Sequence, residues 1–122
     1  MILGPDKMGA WLERALDLSS QRASVLRSNL ANVDTPGYVA KDVDFTGALA
    51  DALERRSPDG TVQVRSEVVE RSEVEPGLDA NRVDLDQEMV RMAANKAFNQ
   101  VATEGVTRRM ALLRYAIDEG GR

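Results

Sequence analysis

The sequence predicts a mainly α protein whose long N- and C-terminal helices pair as an antiparallel, coiled-coil-like hairpin, with a short helix and an irregular or small β segment between them. Three observations predict it. Apolar residues recur at helical spacing near both ends. The chain between is poor in bulky residues and interrupted by Pro-Gly and Asp-Gly turns. Alanine supplies a large part of the 43% hydrophobic share. The aromatics Trp11, Tyr38, Phe45, Phe98 and Tyr115 are scattered through 122 residues, so the helices are expected to pack through small residues. The chain divides into an N-terminal helix (1–33), a turn, short helix and flexible or small β middle (34–81), and a C-terminal helix (82–122), together one domain.

The first helix is expected from about Asp6 to Asn32. Leu12, Leu16, Ser19, Ala23, Leu26, Leu30 and Val33 fall at alternating four- and three-residue steps, the seam spacing of a coiled coil. Such a seam requires a partner helix. Trp11 and Leu18 lie beside it and are expected to be left for neighbouring subunits.

The second long helix is expected to begin near Asp84, whose side chain can cap the first turn while Gln87 reaches back. Asp86 and Glu88 suit the positive end of its dipole, and Gly120-Gly121 ends the pattern near Glu119. At 1.5 Å per residue, about 35 residues make a rod of roughly 50 Å. Its apolar face is uneven: Leu85, Met89 and Met92 open one seam and Val106, Met110, Leu113 and Ile117 close it, but Lys96, Asn99 and Thr103 interrupt the spacing. The buried face therefore rotates, or different neighbours cover different sides. The expected pairing sets Leu12, Leu16, Leu26 and Leu30 against Met110, Leu113 and Ile117.

Between the helices, Asp44 can cap a short helix carrying Phe45, Leu49 and Leu53, which Arg55, Arg56 and Ser57-Pro58-Asp59-Gly60 would end. Val62, Val64 and Val68 alternate with polar residues as in a half-exposed strand, and Glu73 to Leu78 reads as loop. Arg55 to Asn81 buries little surface, so mobility is expected there in the free chain.

Charge and composition exclude several classes of function. A formal charge of −4 disfavours a sequence-independent hold on nucleic acid. Without cysteine or histidine the chain lacks disulfides, thiolate and imidazole metal ligands, and any histidine-dependent triad. Asp42, Asp44, Asp79, Asn81, Asp84 and Asp86 form two acidic groups, but an EF-hand counted from Asp79 would need glycine where Asp84 stands and glutamate where Val90 stands. Solvation and helix capping are the expected roles of these carboxylates. With no nucleophile–base–orienter set and no phosphate-cradling loop, no enzyme activity and no cofactor are expected. No apolar stretch approaches the roughly 20 residues that span a bilayer, and the N-terminus does not look like a cleaved secretory signal.

The most informative stretch joins the end of the first helix to a chain reversal. Asn32 can take the left-handed conformation that ends helices, Pro36 pushes Thr35 towards extended geometry, and Gly37 permits positive φ. Taken alone, Asp34-Thr35-Pro36-Gly37 reads as a simple loop between helices. The longer run Asn29-Leu30-Ala31-Asn32-Val33-Asp34-Thr35-Pro36-Gly37-Tyr38 resembles the N-terminal signature of the bacterial flagellar axial proteins, the rod and hook components. Val39-Ala40-Lys41-Asp42-Val43-Asp44-Phe45 looks like the proximal-rod members, and Asp79-Ala80-Asn81-Arg82-Val83-Asp84-Leu85-Asp86-Gln87-Glu88 is similar to the segment that leads into their C-terminal helix. Two departures stand out. Alanine occupies position 80, where the family pattern leads one to expect glycine, and the middle segment is short.

The resemblance implies a structural subunit exported without a cleavable signal through the flagellar type III apparatus, then polymerised in the periplasm as part of the basal-body rod. Its implied partners are further copies of itself, other rod subunits, the basal-body adaptor and the membrane ring. Its terminal helices would line a hollow helical tube that passes later export substrates and transmits torque. Two other readings share the helical layout: another short rod subunit, or a soluble helical-hairpin adaptor or export chaperone.

Overall fold

The computed structural model describes residues 5–54, 66–71, 76–78 and 80–120. Helix α1 (Pro5–Ala31) is followed by strand β1 (Lys41–Val43), helix α2 (Phe45–Glu54), strand β2 (Val68–Glu70) and helix α3 (Leu85–Gly120). The fold is mainly helical, with the expected long terminal helices, short middle helix and small sheet. α1 begins at proline, whose missing N–H costs nothing in a first turn. α2 and α3 begin as expected. Asp44 Oδ1 accepts the N–H of Gly47 at 3.1 Å, and Asp84 Oδ1 accepts the N–H groups of Asp86 and Gln87 at 3.0 and 3.2 Å.

Polar and small side chains fix the register of the antiparallel hairpin. Asn29 on α1 meets Glu88 near the start of α3 at 3.0 Å. Farther along, Asn95 Nδ2 donates to the Ser19 carbonyl at 3.0 Å and Asn99 Nδ2 to Ser19 Oγ at 3.2 Å. Leu12 lies against Gly105, and Gly9 against Arg109. This register corrects the expected pairing of Leu12, Leu16, Leu26 and Leu30 with Met110, Leu113 and Ile117 inside one chain. Leu26 packs at the opposite end of the hairpin from Met110, because the amide and carboxylate of Asn29 and Glu88 anchor that end.

β1 and β2 pair antiparallel, Lys41 opposite Glu70 and Val43 opposite Val68, and Val39 forms an isolated parallel bridge with Arg82. The small apolar core lies where this middle segment covers the hairpin. Leu18, Val43 and Ala48 are buried there, with Val25, Phe45 and Leu49 packed around them. Phe45 meets Phe98 of α3 edge to face at 4.6 Å between centroids, and the Arg22 guanidinium lies over its ring at 5.4 Å. Ala15, Ala40, Ala52 and Ala102 complete the buried apolar set with Leu26, so much of the packing is through small residues. Leu18 is enclosed by its own chain, which corrects its assignment to a neighbouring subunit: the sheet and α2 reach it first.

Val68 is in a strand, but as its first residue rather than its last as expected, and Val62 and Val64, the Arg55–Gly60 stop and the Glu73 end of the expected loop lie outside the described residues. So does most of the span expected to be mobile.

Candidate assembly surface

The asparagines at the end of α1 act inside the subunit. Asn29 is fully buried, and its side chain works as a strand partner: Nδ2 donates to the Lys41 carbonyl at 2.6 Å, while Oδ1 accepts the Lys41 N–H at 2.9 Å and the Tyr38 hydroxyl at 3.2 Å. A single amide thus satisfies both backbone groups of the residue that opens β1. Asn32 closes α1 through its side chain, donating from Nδ2 to the Ser28 carbonyl at 2.8 Å and accepting from Thr35 Oγ1 at 3.0 Å. It does not adopt positive φ, contrary to expectation, because its amide caps the helix from ordinary backbone geometry. Gly37 does, at φ 74°, and the chain reverses there. Ala31, Asp34, Thr35, Pro36 and Gly37 are exposed, and Leu30 and Tyr38 are half-buried.

Asn81 ties this turn to the segment before α3. Its Nδ2 donates to the carbonyls of Asn32 at 3.0 Å and Thr35 at 2.5 Å, and its Oδ1 accepts the N–H of Val83 at 2.9 Å. Ala80, standing where glycine was expected, has φ 61°.

A buried ionic cluster, not anticipated from sequence, holds the sheet to both long helices. Arg22 of α1 forks onto Asp42 of β1, Nε to Oδ1 at 2.9 Å and Nη2 to Oδ2 at 3.1 Å. Arg71 lies 3.5 Å and Arg91 3.6 Å from the same carboxylate. Arg71 also pairs with Glu88, and its Nη2 donates to the Lys41 carbonyl at 3.2 Å. Burial raises the Asp42 pKa, but the hydrogen bonds from Arg22 and the Val43 N–H, with the charges of Arg22 and Arg71, outweigh it and hold the carboxyl below its ordinary value. Asp42 is therefore neither solvated nor a helix cap as expected. Asp44 and Asp84 do cap, Asp86 is exposed, and Asp79 lies outside the described residues. One sequence signal for the cluster was available: Glu88 falls at a seven-residue interval from Asn95 and Ala102, on a helix face that is otherwise buried.

The expected seam residues divide into two sets. Leu26 is buried and Leu12, Leu16 and Leu30 are half-buried within the hairpin. Met110, Leu113 and Ile117, at the far end of α3, are 59, 46 and 74% exposed, and Leu112 and Tyr115 beside them are exposed as well. Half-buried Trp11 keeps an enclosed indole N–H with no acceptor among the described residues.

The family model for flagella basal body rod proteins matches residues 12–38, which run from the first α1 leucine through the asparagine turn to Tyr38. Across most of the chain, the sequence is 33% identical to the flagellar basal body rod protein FlgB of Escherichia coli, covering 84% of this chain and 88% of that protein. The chain belongs to the FlgB family of flagellar basal body rod proteins. Among other FlgB proteins, that of Cereibacter sphaeroides is 34% identical over 92% of this chain and 94% of its own length. FlgB of Salmonella typhimurium is 37% identical over 68% of this chain and 72% of its own. The part matched by the family model includes Asn29 and Asn32, whose amides hold β1 and close α1 in this FlgB-family fold. Among the described residues, no helix is long and apolar enough to cross a membrane.

Proposed function

We propose that this FlgB-family chain is a structural subunit of the proximal rod, polymerising through its terminal helices into a hollow helical drive shaft for motility. The observation that carries this reading is the exposed apolar end of α3. Met110, Leu113 and Ile117 extend the helix face that α1 covers nearer the turn, yet they stand exposed in the isolated chain. An apolar face of this kind is stable only against another subunit. Contacts between different patches that do not close by rotation generate a helical polymer.

In this reading the buried asparagine and ionic cluster fixes the hairpin as a rigid building unit. Leu12, Leu16, Leu26 and Leu30 act within that unit, and Met110, Leu113 and Ile117 act between units. Exposed Asp34 to Gly37 offers a second contact at the opposite end. The partners are other copies, other rod subunits, and the basal-body adaptor and membrane ring on which the rod stands. Delivery is through the flagellar type III export apparatus to the periplasmic rod. The role requires no catalysis, cofactor, nucleic acid or bilayer insertion.

The test is the double substitution Leu113→Asp with Ile117→Asp in the source cells, with the chain followed by mass spectrometry of purified basal bodies. The expected result is normal synthesis and export, loss of the chain from basal bodies and loss of swimming. Retained rod assembly and swimming would overturn the reading.

A further inference from the structure

No residue of β2 is buried: Val68, Val69 and Glu70 are all exposed. Among the helices and strands, only β1 lies against it. A strand docked by apolar packing turns every second side chain onto a core, and β2 turns none. Its own fastening is the backbone ladder, in which the Arg71 N–H donates to the Ala40 carbonyl at 2.8 Å and the Asp44 N–H to the Glu67 carbonyl at 3.1 Å, with an exposed bond from Ser66 Oγ to Gln21 Oε1. A two-stranded ladder without a covered face is marginal in water.

Arg71, the residue after β2, is the exception. It is the one buried residue of 66–71, and its guanidinium sits in a socket made by the rest of the fold. Nη2 donates to the Lys41 carbonyl at 3.2 Å and to Glu88 Oε2 at 3.3 Å and lies 3.5 Å from Asp42, while Nη1 reaches the other oxygen of Glu88. The socket keeps its own bonds when the guanidinium leaves. Asp42 retains the Arg22 fork and Arg91, Glu88 retains the Asn29 amide at 3.0 Å, and Ser19 with Asn95 and Asn99 still sets the helix register. Arg71 Nε, enclosed with no acceptor among the described residues, is a donor that gains a partner only on reaching water.

We propose that Arg71 is a latch, and that residues 66–71 are a strap that opens as a unit while β1 and the α1–α3 hairpin stay formed. Closed, the guanidinium joins the strap to β1 and α3. Open, the strap gives up its ladder to β1, water enters the socket, and Asp42, Glu88 and the Lys41 carbonyl are left spaced for a planar, forked cation. The strap thus has an opening free energy of its own, below that of the hairpin. A guanidinium is the ligand class that the emptied socket takes, and an ammonium, a point charge, fits it poorly.

Amide hydrogen exchange of the full chain, followed by NMR in increasing urea, tests the opening. The amides of Val69, opposite Asp42 in the ladder, and of Arg71 are expected to exchange many-fold faster than those of Asn95 and Ala102, with little dependence on urea because little surface is uncovered. Equal rates with equal urea dependence would make strap and hairpin one unit and overturn the proposal. Arg71→Lys keeps the charge and loses the fork. It is expected to speed exchange at Val69 many-fold more than at Asn95, and the same acceleration at both would count against a latch. Arg71→Ala empties the socket, and ethylguanidinium supplies the atoms it lacks. At millimolar concentration this ligand is expected to raise the melting temperature of Arg71→Ala saturably, well beyond the effect of ethylammonium, and to leave the parent unchanged. Because the ligand is not tied to the strand, Val69 stays fast in its presence. An equal response of parent and variant would overturn the socket, and restored protection at Val69 would overturn the latch.

Discussion

Arg71, just after β2, pairs with Glu88 in the first turns of α3 while both side chains are almost entirely enclosed, 4 and 0% exposed, with Nη2 donating to Oε2 at 3.3 Å. Removing one member of a buried pair leaves the other charge without compensation, which costs far more than losing a surface ion pair. Glu88→Gln is therefore expected to destabilise the subunit by about 3–5 kcal/mol. Urea denaturation followed by circular dichroism checks the size, and a change below 1 kcal/mol would show that Arg71 is satisfied without the carboxylate.

The depressed Asp42 pKa sets the sign of a pH dependence. The carboxylate is favoured in the folded state, so its stabilisation is fully present above the unfolded value of about 3.9 and is lost as pH falls through the lower folded value. The melting temperature is expected to drop from pH 5 to pH 3 by more in the parent chain than in Asp42→Asn, which starts lower and has no Asp42 carboxylate to protonate. Parallel profiles for the two would remove Asp42 from the acid response.

Gly37 has φ 74°, and among the described residues a side chain added there would touch nothing within 4 Å. The penalty for substitution is thus conformational. Gly37→Ala is expected to cost about 1–2 kcal/mol, and Gly37→Val more, because a β-branched residue tolerates positive φ least. Thermal melts of the two variants test the order, and equal melting temperatures would show that the turn relaxes to another geometry.

Ala80 gives the opposite case, an L-residue held at φ 61°. Ala80→Gly relieves that strain and is expected to raise stability by up to about 1 kcal/mol, although glycine in the unfolded chain offsets part of the gain. A lower melting temperature in the variant would count against this account.

Leu26 and Ile117 are expected to separate folding from assembly. Leu26 is fully enclosed, and Leu26→Ala should destabilise the subunit by about 2–5 kcal/mol. Ile117→Ala leaves the melt of the isolated subunit within about 0.5 kcal/mol of the parent because its side chain is 74% exposed, whereas Leu113 is 46% exposed. Equal losses of stability would place Ile117 inside the folded unit.

Helix starts were legible in the sequence because caps are local: Asp44 and Asp84 each act within one turn of the backbone they satisfy. Gly37 was legible for the same reason. The register of the hairpin was not, because apolar spacing alone allows α1 to slide along α3, and the groups that prevent it are polar: Ser19 with Asn95 and Asn99, and Asn29 with Glu88. Arg71 was least visible. It lies in a stretch poor in bulky residues, and its importance comes from Asp42 and Glu88, which the chain brings to it from both directions. The sequence also understated Asn32, whose amide does by hydrogen bonding what the left-handed backbone was expected to do.

The Asn81 amide joins the carbonyls of Asn32 and Thr35, so the chain leaving α1 and the chain about to start α3 are clamped at one point. Everything between is a closed loop whose base is already fixed. Lengthening such a loop costs little, about 0.6 kcal/mol for each doubling, and the cost does not reach the base. Sequence inserted between α2 and β2 would therefore leave the spacing of the two long helices unchanged. The geometry of the hairpin is thus independent of the size of the middle, and one frame of two long helices can carry middles of different lengths.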